Sequence, residues 1–599
     1  MQSILLRRRL KTHYSLLVPF PPLPFIFPPL ERPPSRPDLA PRTTSPPPRL
    51  PELGARSQDE VRMEEIHRPD ASVRPPHEET ATSARWDAIE EIPPSPDHTV
   101  DSTKPSTPSS GPPEEVFVVD FSKLHDPLNP QCWSLRERVW TTFVLCLLVL
   151  FSGAASSMNA YAAPKARRDL GVSESVVNLD TALFLVGFGV AAPIAAPLSE
   201  LAGRNVVYLV SLAAFALLEV GAASCASIAS RSIIRFLAGA FASPPLSNAA
   251  AGIGDLFTAA ERAVVFPIFA AFGLTGPCLG PAVGGWIASS NISYRFTDWV
   301  QAIWALGLLF LIFFFLAETY PPRILCWKAE GASTELRPAI RARNRDSRYL
   351  SPSEAHRWGH TMSTRRNLLR TLARPFEMLF LEPIVMCFLG YLTLVFCVLF
   401  GALVAYPFIF AGYDLSLERT PAQLGRLFLA IPTGLVVCTL ILVPLAWVDY
   451  HRCIDRAGLT GSASAPPEAR LRAAMLGSWT IPAGLLWTAW TSDGRYSIFH
   501  PLGGQALFGF GFLTCFVSSY LYLIDSYGHA AASALSAVTF LRYVVSGGAV
   551  IFTPPMYRRL TPEWALTLLA CLAFTLSFVP WLFYFYGARI RSWSRWTLH

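Results

Sequence analysis

Val139-Trp-Thr-Thr-Phe-Val-Leu-Cys-Leu-Leu-Val-Leu-Phe-Ser-Gly-Ala-Ala-Ser-Ser-Met-Asn159 runs for twenty-one residues without a charge. About 20 mostly apolar residues in a helix cross about 30 Å of bilayer hydrocarbon, so this stretch reads as a membrane span. Five similar runs follow, near 176–198, 206–226, 232–253, 263–287 and 299–317. After a polar connector come six more, near 383–406, 422–447, 473–490, 501–523, 530–553 and 564–586. Six runs, a connector and six runs predict an all-α membrane protein: twelve transmembrane helices in two six-helix halves, with a site between the halves near the midplane.

The composition agrees. Of 599 residues, 51% are hydrophobic and 16% charged, where a soluble domain carries about 25% charge. A soluble enzyme, a long coiled coil and a fully disordered chain all fit poorly. The first 137 residues hold 26 of the 52 prolines, in stretches such as PPLPFIFPPL and PSTPSSGPP. Such stretches form neither helix interiors nor a core, so a disordered cytoplasmic tail is expected over 1–137. Its opening arginines and apolar residues resemble a signal peptide only faintly, because Pro19, Pro21, Pro22 and Pro24 break the apolar part. Met63 begins an acidic stretch and is an alternative translation start, which would make residues 1–62 an artefact of the gene model. Peptides from within 1–62 would refute that.

The remaining expected units are an N-terminal half over 138–317, a cytoplasmic connector over 318–382, a C-terminal half over 383–587 and a cytoplasmic tail over 588–599. The net charge of +7 comes without a dense basic domain, so no nucleic-acid partner is expected. Twelve Arg or Lys lie between Glu318 and Phe380. They place the connector and both termini in the cytoplasm by the positive-inside rule, with Lys165, Arg167, Arg168, Arg558 and Arg559 dissenting. The eleven cysteines form no CxxC pair and no metal spacing with histidine, so they read as small buried hydrophobes. No metal or cofactor is expected.

Several motifs carry a resemblance. The second span ends in Ala196-Pro-Leu-Ser-Glu200-Leu-Ala-Gly203-Arg204-Asn205, which resembles the loop 2–3 signature of the major facilitator superfamily. Ala196 stands where glycine is usual, and Asn205 where a second basic residue is usual. The fifth span carries Gly276-Pro-Cys-Leu-Gly280-Pro281-Ala-Val-Gly284-Gly285, which resembles that superfamily's antiporter signature. Glycines at this spacing let helices approach closely, and prolines bend them. Asp126-Pro-Leu-Asn-Pro-Gln-Cys-Trp133-Ser134, Arg235-Phe-Leu-Ala-Gly239, Glu318-Thr-Tyr-Pro-Pro322, Tyr522-Leu-Ile-Asp525-Ser-Tyr527 and Tyr586-Gly-Ala-Arg589-Ile-Arg591 are similar to motifs of fungal twelve-span drug:proton antiporters, the branch with polyamine and azole-resistance transporters. The resemblance covers Asp126 to the C-terminus and implies a fungal source.

Charges inside spans are costly and so are functional candidates. The resemblance links Arg235 to proton coupling, although a helix-packing ion pair is the other reading. Glu219 is either a titrating carboxylate or a structural partner of Arg231 and Arg235. Asp180 is expected to be solvated at the outer interface. The resemblance also implies a cytoplasmic gate: Arg204 with Asp255, Glu200 facing the N-terminal end of span eleven near Gly528, and Asp525 in the equivalent place of the second half. Arg542, at mid-depth in span eleven, needs a carboxylate, a carbonyl or a substrate. Tyr391, Tyr406, Trp487 and Tyr520 are candidate cavity aromatics, with core or interface packing as the alternative. Asn291 heads a glycosylation sequon in the outer loop 5–6.

No Walker loop, HExxH, GxSxG or paired-carboxylate pattern stands out, so no enzyme activity is expected. The favoured expectation is proton-coupled export of a small organic molecule (drug, polyamine or secondary metabolite) by a monomer in the plasma membrane, with the vacuolar membrane second. The alternatives are a proton-coupled nutrient symporter and a non-transporting membrane receptor with this fold.

Overall fold

A computed structural model describes residues 115–118, 120–121, 126–330, 347–350, 364–415, 417, 420–460, 467–594 and 596. The question of a start at Met63 and most of the proline-rich tail lie outside the described residues. Among the described residues ten helices are long and apolar enough to cross a membrane. Two further helices lie in order between them and make twelve. The first half comprises α1 (Leu135–Ser157), α2 (Glu174–Ala202), α3 (Arg204–Ser224), α4 (Ile228–Leu256), α5 (Ala259–Ser289) and α6 (Phe296–Phe315). The second comprises α7 (Pro383–Ile409), α8 (Ala430–Thr460, prefaced by a short helix Pro421–Leu427), α9 (Arg472–Thr491), α10 (Phe499–Tyr527) and α11 (Ala531–Arg559). It closes with α12, formed by Pro562–Leu576 and Val579–Arg591. The two additions are α4 and α9. Arg231, Arg235 and the Pro244-Pro245 pair dilute α4, while Ser478, Thr480 and Pro482 dilute α9.

Local chemistry sets the helix starts. Ser134 and Glu137 form a capping box at α1, and Thr258 and Glu261 form another at α5. Gly203 joins α2 to α3 at φ +96°, a conformation that disfavours any residue with a Cβ. Its turn is clamped by Glu318, whose carboxylate accepts from the backbone N–H groups of Arg204 (3.0 Å), Asn205 (3.1 Å), Thr319 (3.1 Å) and Tyr320 (3.0 Å). A carboxylate at a helix N-terminus is favoured by the exposed amides and the helix dipole.

Packing repeats between the halves. In the first, α2 lies along α4, α3 against α4 and α6, and α1 against α5; in the second, α8 lies along α10, α9 against α10 and α12, and α7 against α11. Raising each number by six turns the first set into the second. The halves meet through α2 with α11 and α5 with α8, which are themselves related by the same shift.

The ends of the bundle are termed here the connector end, which carries the 318–382 segment, and the far end. Two described parts of the connector, 321–330 and Thr364–Leu381, are helical. The strand β1 (Glu115–Val118) pairs in parallel with β2 (Ser347–Leu350), so part of the expected tail is structured. Lys328 Nζ donates to Asp126 (2.7 Å), which ties the segment before α1 to the connector.

Candidate functional site

The glycine-rich stretch of α5 works on two faces. A Cβ on Gly276 would lie 2.5 Å from the Leu150 carbonyl oxygen, and one on Gly280 2.6 Å from that of Ala154. Gly284 meets the Met158 carbonyl in the same way, so these three seat α5 on α1 and on the turn that follows it. Gly285 points to the other half, where a Cβ would lie 3.0 Å from the Pro421 carbonyl carbon; a Cβ on Gly425 would reciprocally meet the Pro281 carbonyl at 2.9 Å. Only backbones without side chains come this close. At the same end Tyr161 meets Phe428 edge-on, Tyr406 stacks on Phe428 at 3.8 Å, and Arg558 pairs with Glu174 across α11 and α2. The halves are therefore packed together at the far end.

Between them, toward the connector end, lies a cavity of about 850 Å³, counting its open mouth. Its walls include Asn248 on α4, Phe266 on α5, Phe396 on α7, Phe516 and Tyr520 on α10, and Arg542 on α11. Arg204 reaches its rim. Among the described residues no carboxylate lines it. Tyr520 and Arg542 thus share one cavity. The other aromatic candidates are corrected. Tyr391 is buried in the second half, where its hydroxyl pairs with the Cys515 thiol (3.0 Å). Tyr406 belongs to the far-end packing, and Trp487 is 44% exposed on the outside of the bundle. On a single sequence, periodicity does not say which face of an almost wholly apolar helix looks inward.

Buried charge in the first half collects near the far end. Arg235 Nη1 donates to Glu219 (2.6 Å) and to Gln301 (3.2 Å), and Gln301 donates to Asn159 (2.8 Å). Asn159 donates to Asp298 (2.8 Å), which also accepts from Arg231 (2.6 and 2.9 Å). Arg231 reaches Asp180 (3.3 Å), and Asp180 closes the ring 3.7 Å from Arg235. Glu219, Arg235, Asp298 and Gln301 are fully buried. Asp180, expected to be solvated, is instead 4% exposed, because two guanidiniums hold it inward. Asp298, Gln301 and Asn159 were not anticipated. They lie at the ends of their apolar runs, where a polar residue reads as interfacial. Three carboxylates face two guanidiniums, and Glu219 Oε2 and Asp180 Oδ1 accept no hydrogen bond. A smaller cavity of about 280 Å³, lined by Asn159, Asp180, Arg231 and Tyr294, adjoins the ring on the far-end side.

At the connector end Arg204 Nε pairs with Asp255 (3.1 Å) and its Nη1 donates to Ser199 (2.8 Å). The second half repeats the arrangement with Arg470 and Asp525 at 2.9 Å. Arg470 went unnoticed, although the equivalence of Asp255 and Asp525 points to the start of α9. Among the described residues Glu200 has no hydrogen bond or ion pair with the start of α11. It is exposed, and the cations acting on it are Arg204 and Arg374. Asn291 is exposed in the far-end turn between α5 and α6, where Lys165 Nζ donates to the Ile292 carbonyl (3.1 Å). Among the described residues no cluster of metal-ligating side chains occurs.

Comparison with known proteins gives a consistent outcome. A family model described as the Major Facilitator Superfamily matches residues 145–551. An MFS-type transporter, kojT of Aspergillus flavus, is 35% identical over 478 residues, covering 80% of this chain and 82% of that protein. An MFS-type transporter of Penicillium crustosum, traF, is 31% identical, covering 80% and 94%. Among solved structures, the proton:xylose symporter XylE bound to 6-bromo-6-deoxy-D-glucose superposes with a TM-score of 0.51 at 14% identity, covering 75% of this chain and 96% of that one.

Proposed function

The chain belongs to the major facilitator superfamily and is a multi-pass membrane transporter, and from that premise we propose that it exports a small organic molecule in exchange for protons by alternating access. The observation that carries the proposal is the buried ring of the first half. Three ionised carboxylates against two guanidiniums leave one negative charge in a medium where an unpaired charge is costly. A single proton on Glu219 or Asp180 removes it. Glu219 is the preferred carrier: among the described residues Arg235 is its one salt-bridge partner, and its second oxygen accepts no hydrogen bond. Arg235 is the switch that holds the carboxylate ionised or releases it.

Substrate enters the cavity at the connector end, which we assign to the cytoplasm from its arginines. The antiporter-like glycines of α5 support export and the drug:proton antiporter group over uptake. In the opposite state the two halves rock together at this end, and Glu200 meets the N-terminal end of α11 near Gly528. The pairs Arg204–Asp255 and Arg470–Asp525 keep each half rigid through the motion. The plasma membrane is the assigned location, and a monomer the assigned unit.

Everted vesicles with an imposed pH gradient test this reading. Antiport moves substrate against the proton flow. Movement with the flow would make the protein a symporter, and no movement would leave a receptor with this fold.

A further inference from the structure

Arg542 is 1% exposed, and its Nε and Nη1 find no hydrogen-bond acceptor. Among the described residues no carboxylate pairs with it, in contrast to Arg231 and Arg235 across the bundle. Its surroundings are rings: the guanidinium carbon lies 4.0 Å from the centroid of Phe396, 5.1 Å from Tyr543, 5.5 Å from Phe516 and 5.8 Å from Tyr520. Aromatic faces attract the cation, and the Tyr543 hydroxyl accepts from the guanidinium, but Nε and Nη1 are left without an acceptor. A buried guanidinium with free donors is costly unless an acceptor arrives. Arg542 lines the cavity, so a guest can bring that acceptor. A ladder of rings leads to it: Phe266 stacks near Tyr520 (6.1 Å, 30°), and Tyr520 on Phe516 (4.2 Å, 27°).

We infer that the cavity takes a planar organic acid in its anionic form, whose acidic oxygens accept the free N–H groups of Arg542 while its ring lies along Phe266, Tyr520 and Phe516. The inference rests on the export reading and narrows its substrate. Polyamines and other organic cations are disfavoured, because Arg542 repels them, Arg204 is already paired with Asp255, and no lining carboxylate among the described residues attracts them. A charge-assisted hydrogen bond from a forked donor also separates acid from amide on the same scaffold.

The test uses the full chain in a yeast host and in everted vesicles from it. The probes are matched trios of aromatic carboxylic acid, primary amide and amine on a set of scaffolds, with spermidine alongside. Protection and vesicle accumulation are expected for acids only. Arg542→Gln should lower acid flux by about tenfold or more, and Arg542→Lys, which keeps the charge without the fork, by less. The wild-type preference among the trios needs no variant and so does not depend on either one folding. Handling of amines or spermidine in preference to acids overturns the inference, as does acid flux unaffected by Arg542→Gln in correctly inserted protein. Absence of flux for every probe overturns the export reading itself, and with it the inference.

Discussion

The two halves share one architecture but treat buried arginine in opposite ways. Arg231 and Arg235 in the first half are enclosed by Asp180, Glu219 and Asp298, and Asn159 and Gln301 complete a closed ring. Arg542 in the second half has four rings and, among the described residues, no carboxylate. A guanidinium whose partners come from its own chain is part of the structure, and we propose that its ring stores a proton. One whose partner is left out is built to receive something. On the proposed reading the difference divides labour: protons to the first half, substrate to the second.

Stability measurements on purified protein separate the two kinds of site. The largest effect is expected for Glu219→Ala or Arg235→Ala, since breaking a buried pair typically costs about 3–5 kcal/mol. Glu219→Gln, which keeps the shape, should retain most stability while losing pH-driven transport. Gly280→Val comes next. Its side chain has no space against the Ala154 carbonyl, and overpacking of this kind costs about 1–3 kcal/mol, read as a lower melting temperature with loss of monodisperse protein. For the connector-end pairs, Arg204→Ala should cost about 2 kcal/mol and Arg470→Ala about 1 kcal/mol, because the second pair is more exposed and better screened. Arg542→Met is expected to be the mildest, within about 1 kcal/mol of wild type or more stable, because an apolar side chain relieves an uncompensated charge. A melting temperature that falls as far for Arg542→Met as for Glu219→Ala would erase the distinction between the halves.

Much of this was legible in the sequence because hydrocarbon imposes length and composition on anything that crosses it. The twelve apolar runs map onto twelve helices, and the pairs Arg235–Glu219 and Arg204–Asp255 join residues whose charge within a span had singled them out. Facing directions were not legible. Tyr391, Tyr406 and Trp487 lie on helices with no polar stripe to mark the inward side, and only Tyr520 of that set reaches the cavity. Span ends were ambiguous for a related reason: Asp180 and Asp298 sit where water or a buried arginine serves a carboxylate equally well, and three-dimensional proximity decides between them. Arg470 had no motif, only its symmetry with Arg204.

The most direct test reconstitutes wild type, Glu219→Gln and Arg542→Met in proteoliposomes and compares two modes for an acid found in the trio screen: accumulation driven by a pH gradient, and exchange of labelled for unlabelled substrate without a gradient. If protons and substrate are held in separate halves, Glu219→Gln abolishes gradient-driven accumulation and retains exchange, whereas Arg542→Met abolishes both. Gradient-driven accumulation that survives in Glu219→Gln, or exchange that survives in Arg542→Met, would contradict the account.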